Sequence, residues 1–88
     1  MSLWDLWDKI LRRVLDGRSD QNSRFEDICG LLRRLGFDER IRGDYHVFGK
    51  TGVFEIIDLQ PRNDEKAKRY QVQQVRDILQ RYGLTQAP

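Results

Sequence analysis

The chain has 88 residues, 39% of them hydrophobic and 34% charged, with 16 basic against 14 acidic side chains and a net charge of +2. That length fits one small domain spanning residues 1–88, the composition is that of a folded rather than a disordered chain, and the charge is too small to argue for nucleic acid by itself. One cysteine and one histidine exclude a disulfide framework or a structural zinc site built from this chain alone, and acidic residues interrupt every apolar run, so a cytoplasmic protein with no signal peptide, membrane span or cofactor is expected.

Leu3, Leu6, Trp7, Ile10, Leu11, Val14 and Leu15 recur at helical spacing and predict an amphipathic lead-in helix over residues 1–17. Ser2 is placed to cap it, with Asp5 at the third position, and Gly17 ends it. Trp7 is expected in the core, and Trp4 is balanced between core packing and a face offered to a partner protein. The polar stretch from Arg18 to Asn22 reads as a linker. Ser23-Arg24-Phe25-Glu26 has the form of a capping box opening a second helix, whose stripe is Phe25, Ile28, Leu32 and Leu35 and whose stop is Gly36. Arg33 and Arg34 point away from that stripe.

From Phe37 the period changes to two. Phe37, Glu39 and Ile41 alternate with polar residues, Gly43 allows a bend, and Tyr45–Phe48 and Val53–Leu59 flank the turn Gly49-Lys50-Thr51-Gly52. These runs predict a three-stranded antiparallel meander. Alternation puts His46 and Phe48 on one face of the middle strand and Tyr45 and Val47 on the other, and apolar groups on both leave open which face is buried. A lone strand histidine is more often packed or solvated than catalytic, so His46 alone decides nothing. Pro61 ends the third strand, Asn63-Asp64 makes a turn, and Lys66-Ala67-Lys68-Arg69 leads into a last helix with core positions Val72, Val75, Leu79 and Tyr82, Ile78 beside them and Gly83 as stop. The class is α+β. Without the lead-in helix the order is αβββα, that of the double-stranded-RNA-binding fold, in which basic residues at the start of the last helix meet phosphates.

Residues 23–84 resemble the HicA family, small αβββα toxins of bacterial and archaeal type II toxin–antitoxin systems that act as mRNA interferases. The resemblance is carried jointly by Leu31-Leu32-Arg33-Arg34-Leu35-Gly36-Phe37, Gly43-Asp44-Tyr45-His46-Val47-Phe48, Glu55-Ile56-Ile57-Asp58-Leu59-Gln60-Pro61 and Lys66-Ala67-Lys68-Arg69-Tyr70-Gln71-Val72 with Gln74-Val75-Arg76. It implies a metal-independent endoribonuclease that cleaves mRNA, and a HicB-like antitoxin protein as partner; it leaves the oligomeric state open. The family motif resembles Gly-Ser-His-His or Gly-Ser-Asn-His. Here Asp44 stands for the serine and Tyr45 for the first of the last two positions, so His46 is the one candidate general base and Tyr45 a candidate helper of the leaving oxygen. Were the catalytic register that of Tyr45, the chain would bind RNA and antitoxin without cleaving. Lys66, Lys68, Arg69 and Arg42 would hold phosphates, which gives affinity without sequence choice. The alternative from a different class is a non-catalytic RNA-binding or protein-interaction module of the same fold.

Overall fold

The structure, a computed structural model, describes residues 3–86, with side chains from Asp5 onward. The cap expected of Ser2 and the packing of the Trp4 side chain lie outside the described residues. Helix α1 (Leu3–Asp16) is followed by a 3-10 turn (Asp20–Asn22), helix α2 (Phe25–Arg34), strands β1 (Asp38–Arg42), β2 (Tyr45–Lys50) and β3 (Val53–Leu59), and helix α3 (Arg69–Arg81). The strands form an antiparallel sheet in the order β1-β2-β3, the predicted α+β meander. No helix among the described residues is long and apolar enough to cross a membrane.

The apolar stripe of α1 buries Ile10, Leu11 and Val14, while Trp7 and Leu15 are half-buried against the same core and Leu6 is exposed. Each fully buried side chain of this kind contributes about 2 kcal/mol relative to exposure, which holds α1 to the domain. Trp7 lies on α2 at Gly30. A Cβ there would fall 2.2 Å from Trp7 Cη2, so only a residue without a side chain lets the ring approach so closely. Helix α2 is buried on more than its expected stripe, with Cys29, Gly30 and Leu31 joining Phe25, Ile28 and Leu32, because α1 packs on one side of it and the sheet on the other.

Two local expectations are corrected. The capping box does not form: α2 begins at Phe25, the Ser23 hydroxyl donates to Ser19 O at 2.9 Å, and the Phe25 N–H donates to Glu65 O at 3.1 Å. The loop after β3 thus satisfies the helix start in place of the local side chains. The stretch from Arg18 to Asn22 is not a free linker either, because the buried Asp20 accepts two hydrogen bonds from Arg76 of α3, at 2.9 and 3.0 Å. Its partner lies too far along the chain for any local pattern to show. The stops hold: after α2, Gly36 at φ +92 lets its own N–H reach Arg33 O and the Phe37 N–H reach Leu32 O, satisfying carbonyls the helix leaves open.

The register pairs Glu39 with Phe48 and Ile41 with His46 across β1 and β2, and His46 with Leu59 and Phe48 with Ile57 across β2 and β3. Directly opposed residues share a face, so Glu39, Ile41, His46, Phe48, Ile57 and Leu59 face the helices. Phe48, Ile57 and Leu59 are fully buried there, which decides the question that alternation left open. Arg40, Arg42, Tyr45, Val47, Ile56 and Asp58 line the opposite, open face. The β2–β3 turn is tighter than expected, since Lys50 pairs with Val53 and only Thr51-Gly52 turn, with Gly49 inside β2 at a register shift.

Past Leu59 the chain returns through two isolated bridges, Pro61 with Ala67 and Arg24 with Lys66, before α3 starts. Val72, Val75 and Leu79 enter the core as predicted, Ile78, expected beside them, is buried too, and Tyr82, expected in the core, is half-buried with its hydroxyl donating to Glu55 and accepting the Phe54 N–H. Gln71 is buried as well, and its side-chain oxygen accepts the Gln60 N–H at 3.2 Å.

Candidate active site

His46 enters the helix side of the sheet near the start of β2, where its ring and that of Phe25 make a T-shaped contact, centroids 4.9 Å apart. Its Nδ1 lies 2.7 Å from Glu39 Oε2. Glu39 reaches it because positions 39 and 41 of β1 share the face of position 46. On its other side Glu39 is gripped by Arg33 of α2, whose Nε donates to Oε1 at 2.7 Å and Nη2 to Oε2 at 2.9 Å. The Arg33 guanidinium, and after it the His46 ring, hold the Glu39 carboxyl below its ordinary range against the opposing effect of burial. The same bond raises Arg33. The His46 side chain is 19% exposed. Among the described residues no hydrogen bond involves its Nε2, and no buried side-chain nitrogen or oxygen lacks a partner, so Nε2 is not sealed from solvent.

Two routes through the fold tie this ring to the basic loop. The strand partner of His46 is Leu59, and the next residue, Gln60, accepts the Lys68 ammonium at 2.8 Å. The ring partner, Phe25, is bonded through its N–H to Glu65 O, and its neighbour Arg24 bridges to Lys66. Lys66 Nζ rests on Asn22 Oδ1 at 3.2 Å, Lys68 occupies the position before α3 with no side-chain cap, and Arg69, exposed, opens the helix beside a shallow recess lined by Gly17, Gln21 and Asn22. The segment carrying Lys66 and Lys68 therefore runs beside residues that neighbour His46, namely Gln60 after its strand partner and Arg24 before its ring partner.

Tyr45 and Arg42 pair with each other on the open face, with the sheet between them and the His46 ring, so Tyr45 is not positioned beside the histidine. What residue-by-residue reading missed is Glu39 and Arg33. The available signal was a carboxylate at the apolar phase of the alternation Phe37, Glu39, Ile41, since an inward charge demands a partner.

Cys29 completes a cluster in which its Sγ, a Glu39 oxygen and a His46 nitrogen all lie within 4.8 Å of one another. Burial pushes the Cys29 thiol up to about 12, and a guanidinium already fills the carboxylate. A thiol that resists ionisation and an anion already neutralised suit a packed side chain beside an ion pair better than a cation site.

No protein-family model, curated protein or solved structure matches the chain.

Proposed function

We propose that the chain is a metal-independent endoribonuclease of the HicA toxin type, with the helix-backed αβββα unit used as in double-stranded-RNA-binding domains. The observation that carries this reading is the placement of the single histidine, its Nε2 not sealed from solvent, at the end of the sheet where the loop bearing Lys66 and Lys68 passes. An imidazole nitrogen there can take the proton of an RNA 2′-hydroxyl near neutral pH. The 2′-oxygen attacks the adjacent phosphorus, the bond to the 5′-oxygen breaks, and that oxygen receives a proton from the imidazolium or from water. A 2′,3′-cyclic phosphate and a 5′-hydroxyl result. Lys66, Lys68 and Arg69 supply positive charge for the RNA backbone, and the uncapped start of α3 adds free N–H groups. Arg42 and Tyr45, on the far face, are left outside the reaction.

In a toxin–antitoxin setting the substrate is mRNA in the cytoplasm, and a HicB-like protein holds the enzyme inactive. The open face, with Tyr45, Val47, Ile56 and a 93% exposed Phe54, offers apolar contact to such a protein and supports the second reading, an interaction module without catalysis.

Cleavage of single-stranded RNA by the purified chain in excess chelator tests the proposal. The wild type is expected to cut and His46→Gln to lose activity by roughly 10² to 10⁴, with its thermal transition retained. Equal activity in the two proteins, or none in a folded wild type, removes the nuclease and leaves the interaction module.

A further inference from the structure

Resting on that reading of His46 as the base, we infer that Glu39, clamped by Arg33, is a positioning residue that keeps the proton of the neutral ring on Nδ1 and leaves the lone pair on Nε2. A neutral imidazole carries one N–H, and the bond made by one nitrogen decides the role of the other. Glu39 receives two N–H donors from Arg33, and an ionised carboxylate has no proton to give. The 2.7 Å contact with His46 therefore has Nδ1 as donor and Oε2 as acceptor. The T-shaped contact with Phe25 limits reorientation of the imidazole. The nitrogen left as acceptor is not sealed from solvent, and a 2′-hydroxyl would arrive there.

The arrangement is a chain of three side chains from three elements, α2 to β1 to β2, and each link has a separate consequence. Without the guanidinium, Glu39 loses the donors that hold its plane. Without the carboxylate charge, Nδ1 loses an obligatory acceptor. Glu39→Gln makes the sharpest change, because it preserves shape while adding an NH2 donor. With the amide oxygen accepting from Arg33 Nε, the NH2 takes the place of Oε2, Arg33 Nη2 must turn away from it, and the NH2 donates to Nδ1, which becomes the acceptor. The ring proton then moves to Nε2, and the base is blocked.

As the chain holds one histidine, a long-range proton–nitrogen-15 spectrum of the 88-residue chain shows one imidazole and reads the tautomer directly. At a pH where the ring is neutral, the wild type is expected in the Nδ1–H form, Glu39→Gln in the Nε2–H form, and Arg33→Gln as a mixture. RNA cleavage should be lowest in Glu39→Gln and intermediate in Arg33→Gln, the loss being no more than the roughly 10² to 10⁴ that the base itself supplies, while thermal unfolding confirms that each variant is folded. A wild-type ring in the Nε2–H form, or a tautomer unchanged in folded Glu39→Gln, overturns the inference whatever the activity. If the tautomer switches as expected but no variant, wild type included, cuts RNA, the nuclease reading fails while the control of the ring by Glu39 stands.

Discussion

Arg76 of α3 places Nη1 2.9 and 3.0 Å from the two carboxylate oxygens of Asp20 and 3.3 Å from Val14 O, joining the last helix to the turn after the first. The pair is largely shielded, with side-chain exposures of 19% and 7%. Removing one member strands the other, a loss worth about 3 kcal/mol. Arg76→Met is therefore expected to lower the denaturant midpoint severely, and the double variant Asp20→Leu with Arg76→Met to recover much of it. A single-variant cost below about 1 kcal/mol would show that water replaces the partner without strain.

Gly30→Ala introduces a methyl into the space of the Trp7 ring, 2.2 Å from Cη2 and 2.7 Å from Cζ3. The expected result is a loss of about 1–3 kcal/mol by overpacking and a red-shifted Trp7 emission in a Trp4→Phe background as the ring is pushed toward solvent. Unchanged emission would mean that the backbones of α1 and α2 separate instead.

Acid should weaken the protein partly through Glu39. Its folded carboxyl lies below the ordinary value of 4.5, chiefly through Arg33 and then through His46, so its contribution is present above that value and is lost as pH falls through the folded one. Glu39→Gln has no such group to titrate. Its stability is expected to fall less steeply than that of the wild type over the acid limb, measured by urea unfolding at successive pH values.

Alkali should act through Cys29. Burial raises the thiol from 9.0 to about 12, so the unfolded chain releases this proton first and stability declines as pH rises between those values. Cys29→Ala should flatten that decline. The native thiol should also react with a disulfide reagent only at the rate of opening, and immediate reaction at neutral pH would contradict its burial.

RNA affinity, if the basic loop holds phosphates, should fall with salt. Replacing Lys66, Lys68 and Arg69 by alanine removes three charges, and at about 0.7 per contact on a single strand the log–log slope should drop by about 2. A slope equal to that of the wild type would place the phosphates elsewhere, with the exposed Arg40 and Arg42 of the open face as the next group to replace.

Helices, strands and their order were legible because each depends on short-range periodicity. Ile10, Leu11 and Val14 recur at helical spacing, β3 presents Ile57 and Leu59 at period two, and Gly36 and Gly83 follow the last helical turns. The candidate base was legible for a different reason, being the one histidine in the chain. Its surroundings were not. By period alone Arg33 lies away from the buried stripe, yet it turns to Glu39 once β1 folds back beside α2, and Ser23 and Glu26 have the spacing of a capping box that Glu65 O, in the loop after β3, displaces.

By itself the sequence determined the element order, the apolar stripes, the helix stops and the phase that separates His46 from Tyr45, all set by the geometry of neighbouring residues along one backbone. The tertiary structure alone decided which sheet face the helices cover, that Asp20 meets Arg76, and that Arg33, Glu39 and His46 form one chain of hydrogen bonds. These depend on where separate elements dock. A buried charge selects its partner by proximity in space, and that proximity exists only after the apolar faces have packed.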